Sequence, residues 1–177
     1  MCGIVGLFLK DKSMEAQLGA MLTDMLITMT DRGPDSAGIA IYSQDTVNIG
    51  KMTVQSDTPD VDFDKLTGDL KKRIKGDVDI RVQSTHAVLA LRADQVVVAR
   101  EALKEIRPNI RIMSTGDSLE IYKEVGLPKD VASRFDIAKM SGSHGIGHTR
   151  MATESAVTTM GAHPFNTGSD QCLVHNG

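Results

Sequence analysis

Apolar residues recur with two different periods near the start of the chain. Ile4, Val5, Leu7 and Phe8 form a short run with Gly3 and Gly6 between them, which predicts a buried strand over 2–9. Leu18, Met21, Leu22, Met25, Leu26 and Met29 then recur at spacings of three and four, the period of a helical face. Ser13 is the predicted N-cap of that helix, and the turn chemistry of Asp31-Arg32-Gly33-Pro34-Asp35 ends it near Thr30. AGIAIY (37–42) predicts a second strand, whose small residues suit close packing under another element.

The texture changes between about 50 and 140. Residues 51–82 are polar and charged. THAVLALRA (85–93) reads as a strand, followed by a helix capped by Asp94 and running to about Ile106. Arg107-Pro108-Asn109 is a turn, and IRIMST (110–115) is another strand. Segments 117–125 and 130–135 read as helices parted by Gly126 and Pro128. A strand–helix–strand–helix order predicts a small α/β module over 51–142, inserted into one domain spanning 1–177. No internal repeat or low-complexity tract is present.

Composition narrows the class without naming a function. The 177 residues are 41% hydrophobic and 24% charged, a globular balance in a chain long enough to bury a sizeable core. Aromatics make up 3% and Trp is absent, while there are 10 Met, so the core is expected to be aliphatic and Met-rich. The net charge is −3, and the longest basic run, Lys71-Lys72-Arg73, lies in a mixed-charge stretch; a nucleic-acid partner is unsupported. Two cysteines, Cys2 and Cys172, do not make a disulfide framework, which fits a reducing compartment. The apolar start lacks a basic leader, meets Lys10-Asp11-Lys12 early, and is too short for a signal peptide or a membrane span. A cytoplasmic protein without a membrane partner is expected.

Taken one at a time, the chemically suggestive residues are ambiguous. Cys2 is either a small core residue or a nucleophile that works once Met1 is removed. His144 and His148 are four apart, but Gly145 and Gly147 argue against the helix that a metal pair at that spacing needs, so a structural role is the better reading. Gly145-Ile146-Gly147 lacks the third glycine and the helix of a phosphate loop. His163 before Pro164 is equally a turn residue, and Arg150 equally a surface ion-pair partner.

Their order carries more than any one of them. CGIVG after Met1, DRGPDSAGIAIY at 31–42, GIGHTRMAT at 145–153, HPF at 163–165 and HNG at 175–177 resemble, in sequence order, the motifs of class II glutamine amidotransferases. The resemblance covers about 1–45 and 143–177. It implies an α+β fold of the N-terminal-nucleophile hydrolase type, an αββα sandwich incomplete at the C-terminus, with the α/β module inserted. It also implies that glutamine is hydrolysed to glutamate and ammonia through a thioester on Cys2. The α-amine freed by loss of Met1, with an ordinary pKa near 8, takes the thiol proton. The side-chain amide of Asn176 and the backbone N–H of Gly177 form the oxyanion hole by the same resemblance. Arg150 grips the substrate α-carboxylate, and Thr153 adds a hydroxyl. Arg32, Asp35 and His163 are structural in this reading.

The sequence also departs from the family pattern. Met151 and Glu154 stand where relatives often carry other residues, and the long stretch before GIGHTR resembles amidotransferase-like subunits of glutamate synthase and N-methylglutamate synthase systems. That resemblance implies a separate synthase subunit that receives ammonia, and hence a hetero-oligomer. No cofactor or metal site is expected in this chain. Further residues are expected after HNG, including an Asp for the α-amino group of glutamine, so the sequence reads as truncated there. The alternatives are a degenerate subunit that binds glutamine or glutamate for assembly or regulation, and a structural protein in which Cys2 is core.

Overall fold

The structure is a computed structural model and describes residues 1–43, 47–152 and 156–176. In chain order the strands are β1 (Gly3–Phe8), β2 (Ser36–Tyr42), β3 (Ile49–Gln55), β4 (Val78–Gln83), β5 (His86–Arg92), β6 (Arg111–Gly116), β7 (Leu119–Val125), β8 (His144–Arg150), β9 (Phe165–Gly168) and β10 (Gln171–Leu173). The α-helices are α1 (Leu18–Thr28), α2 (Pro59–Asp62), α3 (Leu66–Lys71), α4 (Val96–Ile106) and α5 (Pro128–Arg134). The fold class is α+β: every strand pairing is antiparallel, and the helices pack on the sheets rather than alternating with parallel strands.

One four-stranded sheet has the order β1-β8-β2-β7. Alternation along β1 buries Gly3 and Val5 and exposes Ile4, Gly6 and Phe8. The buried face meets α1 and α5 in a core of Val5, Leu18, Leu22, Leu26, Ile39, Ile41 and Phe135. The glycines of β8 let α1 come this close: a Cβ on Gly145 would stand 2.6 Å from Leu22 Cδ1. They are strand glycines under a helix, which agrees with the rejection of a phosphate loop.

A second sheet, β4-β5-β3-β6, is built from residues that leave the first sheet after β2 and return to it at β7. Met52, Val54, Leu66, Leu70, Leu89, Leu91 and Leu103 form its core against α3 and α4. Strands β3 and β4 therefore lie in the stretch that reads as merely polar. Their pairing partner β5 carries the apolar residues, AVLAL, that bury them.

Three local expectations need correction. Segment 117–125 is not a helix: its residues from Leu119 to Val125 are strand β7, and Asp117 and Ser118 form the bend before it. The strand is buried on both faces, so its charged residues do not mark a solvent side. Leu119 and Ile121 pack with Ala40 and Met113. On the other face Glu120 accepts from Tyr122 (2.8 Å) and pairs with Lys51 (3.3 Å) and Arg81 (2.5 Å). The cap before α1 is Asp11, whose carboxylate accepts the Ser13 N–H at 2.9 Å; a 3₁₀ turn, Lys12–Gln17, then leads into the helix. Asp94 makes no capping bond to α4, because its carboxylate is held by the Arg92 guanidinium.

The β9–β10 hairpin is tied to the β6–β7 turn by Asp170. Its carboxylate accepts the N–H groups of Asp117 (2.8 Å), Ser118 (2.9 Å) and Leu119 (2.8 Å), and the Ser118 hydroxyl (3.0 Å). Burial alone raises its pKa, but these donors hold it below the ordinary 3.8. A depressed carboxylate adds stability above its unfolded pKa, and that stability is lost as pH falls through the folded value. Asp170→Ala is expected to cost about 2 kcal/mol at neutral pH, from several charge-assisted bonds at a half-buried site. Urea unfolding of both proteins at falling pH checks this: the gap should close below pH 3.8. A gap that persists unchanged in acid would assign the loss to packing.

Candidate functional site

Among the described residues, Cys2, Arg150 and the backbone beside Asn176 lie around the C-terminal end of β8. The β1–β8 ladder begins at the Gly3–Thr149 pair, so Cys2 and Arg150 flank it on either strand. Cys2 is buried, at 6% exposure, and both Cys2 and Cys172 are free thiols. The Met1 ammonium lies 3.3 Å from Met151 Sδ, one residue past Arg150.

Arg150 is held from two sides by the segment before β2. Its carbonyl accepts the Asp35 N–H at 3.0 Å, and Asp35 Oδ2 accepts the Ala152 N–H at 2.7 Å. Arg150 also pairs in register with Ser36, and its guanidinium reaches the Ala156 carbonyl at 3.4 Å. Asp35 thus fixes the backbone on both sides of Arg150. Thr149 Oγ1 donates to the Met29 carbonyl (3.2 Å), which ties the end of α1 to the same point.

The histidines organise the opposite flank. His148 is fully buried, and its Nε2 lies 2.9 Å from the His175 carbonyl oxygen. This fixes the backbone next to Asn176, whose residue is exposed. The His148 and His163 rings lie 4.3 Å apart with their planes tilted by 33°, and His163 meets the Phe165 ring at 4.4 Å. Burial, and then the neighbouring His148, Lys123, Arg150 and His175, hold the His163 pKa down at about 4. Burial lowers His148 as well. Both rings are therefore neutral at physiological pH. His144 lies apart from them: it stacks on Tyr42 at 4.0 Å and meets Ser143 Oγ at 2.9 Å.

Lys123 is a charged residue here that no motif picks out. It lies on β7, buried at 3% exposure, and donates to the carbonyls of Ala162 (2.8 Å) and Pro164 (3.1 Å). Its ammonium sits 4.5 Å from the Phe165 ring centroid. Burial lowers its pKa to about 8. Opposite it, Gly38 has no room for a side chain: a Cβ would overlap the His163 carbonyl oxygen. No sequence signal marks Lys123, a single basic residue in IYKEV. Thr153 and Gly177 lie outside the described residues. Among the described residues no cluster of three His, Cys, Asp or Glu forms a metal site, and no helix is long and apolar enough to cross a membrane.

No family model matches the chain. Comparison with curated proteins is more informative. The chain is 64% identical over its whole length to the glutamine amidotransferase-like protein GlxB of Rhizobium meliloti (strain 1021). It is 32% identical, again over its whole length, to a provisionally named glutamine amidotransferase of Methanothermobacter thermautotrophicus. These similarities support a glutamine amidotransferase-type domain. A 66-residue part is 44% identical to glutamine–fructose-6-phosphate aminotransferase of Streptococcus pyogenes serotype M6, and covers 11% of that protein. The chain spans 58% and 61% of the length of the Rhizobium meliloti and Methanothermobacter thermautotrophicus proteins.

Proposed function

We propose that this chain is the N-terminal part of a class II glutamine amidotransferase, of the αββα N-terminal-nucleophile type, that hydrolyses glutamine and passes ammonia to a synthase subunit in a cytoplasmic hetero-oligomer. The observation that carries this reading is the gathering of Cys2, Arg150 and the His175–Asn176 backbone around one end of β8. In the proposed reaction Met1 is removed and the free α-amine of Cys2 takes the thiol proton. The thiolate attacks the glutamine carboxamide carbon, and its C=O electrons move onto oxygen. Asn176 and the N–H of Gly177 stabilise that oxyanion. The C–N bond breaks, with ammonia carrying away the amine's proton, and a γ-glutamyl thioester remains on Cys2. Water then attacks the thioester, which releases glutamate and restores the thiol. Arg150, with Thr153, holds the α-carboxylate, a task suited to a planar fork of donors.

Intact-mass measurement of the full-length protein, before and after treatment with a diazo-ketone analogue of glutamine, tests this reading. The expected spectrum shows loss of Met1 and a single adduct that maps to Cys2. A retained Met1, or a processed Cys2 that stays unlabelled, would overturn the catalytic reading in favour of a subunit that binds glutamine without turning it over.

A further inference from the structure

We propose that Lys123 is a positioning residue for the candidate oxyanion hole, acting through the 162–165 segment and the paired rings of His163 and His148. This inference rests on the amidotransferase reading of the site. An ammonium at 3% exposure is costly to bury, and no carboxylate pairs with Lys123 among the described residues. A Met or Leu on β7 would fill the same space without that cost. What the ammonium adds is geometry: two carbonyls, Ala162 and Pro164, converge on one nitrogen from either side of His163, and Phe165 covers it.

The segment so gripped lies directly on the sheet, because Gly38 presents no side chain beneath the His163 carbonyl. His163 is thereby set against His148, and His148 bonds the carbonyl of His175. Three successive contacts lead from Lys123 to the residue before Asn176. Glu124, the next residue on β7, holds the same segment further upstream by accepting the Thr159 hydroxyl, and is itself pinned by Thr85 (3.1 Å) and Arg134 (3.4 Å). Two neighbouring charged residues of one strand thus anchor the segment whose His163 leads, through His148, to the His175 carbonyl. The fall in the Lys123 pKa to about 8 fits a cation held by neutral partners.

A positioning role predicts a particular kinetic split. An oxyanion donor acts in the transition state, so misplacing it lowers kcat and leaves KM for glutamine nearly unchanged. The test is Lys123→Met in the full-length protein, with turnover normalised to the fraction of Cys2 that the diazo-ketone analogue labels. The expected result is a fall of about tenfold or more in kcat per labelled site, with KM within about twofold of wild type. His163→Ala, which breaks the same relay without altering Lys123, is expected to show the same split, and the double variant should be no worse than the more severe single one. Wild-type kcat per labelled site in both variants would overturn the inference. A loss confined to the labelled fraction would reduce Lys123 to a folding role and overturn it equally. Should Lys123→Met fail to fold, His163→Ala decides alone: an unchanged kcat sinks the relay. A wild-type protein that neither labels nor turns over glutamine instead sinks the amidotransferase reading, so the two failures are distinguishable.

Discussion

On the proposed reaction, Cys2→Ala is expected to abolish glutamate release in the full-length protein while leaving the fold in place, the largest effect expected of any single substitution. The proposed reaction passes through one covalent intermediate, the thioester on Cys2, and its formation depends wholly on the thiolate. Removing a covalent nucleophile generally costs about 10³-fold or more, because the remaining binding and oxyanion contacts have no attacking atom to assist. The structural cost is small by comparison. Cys2 is 6% exposed and stands just before β1, so the change to Ala deletes one buried sulfur. That is worth about 1 kcal/mol at most from lost burial and packing. Arg150 and the backbone that Asp35 fixes around it are untouched, so glutamine binding should survive. Coupled detection of glutamate, with calorimetric titration of glutamine into the same variant, separates the two effects. Glutamate release that persists at the wild-type rate would show that the nucleophile lies elsewhere and would remove Cys2 from the mechanism.

What could be read in the sequence followed how locally each feature is encoded. β1 and α1 were legible because each buries one face, and a single buried face prints its own period on the sequence. β2 was legible as a short apolar run bounded by turn chemistry. β7 was not, because its polar residues are buried and satisfied by partners far away in sequence: Lys51 and Arg81 on the second sheet, and Thr85 in its β4–β5 turn. Nothing local distinguishes such a strand from a solvated helix face. The same cause hid Lys123, whose partners are carbonyls some forty residues downstream. The site motifs were legible as an ordered set, yet their convergence is a property of the β1-β8-β2 pairing, which places the segments after Met1, before β2 and after β8 at one sheet end. His148 illustrates the limit: its tie to the His175 carbonyl joins two motifs by a contact that neither motif encodes.

Glu120→Ala should be the most destabilising of the substitutions considered, for the same reason that β7 was hard to recognise. The Glu120 side chain is 6% exposed and faces two cations across the seam between the sheets. Lys51, with its side chain at 13% exposure, approaches one carboxylate oxygen at 3.3 Å; Arg81 and the Tyr122 hydroxyl approach the other. Removing one member of a buried pair leaves the other charge without compensation, and such losses run to about 3–5 kcal/mol. Arg81 is half exposed and regains water, so only Lys51 bears the full penalty, which places the expected cost near 3 kcal/mol. In a chain of 177 residues that corresponds to a fall of roughly 6–12 °C in Tm. Glu120→Gln is the discriminating control, since it keeps the shape and the hydrogen-bonding capacity but removes the charge. If charge compensation of Lys51 dominates, Gln falls nearly as far as Ala; if filling the seam dominates, Gln stays close to wild type. Calorimetric melts of both variants decide, and a loss under about 1 kcal/mol in each would show that Lys51 finds water when Glu120 is gone, so that the two sheets are held together by the apolar contacts around Leu119 and Ile121 instead.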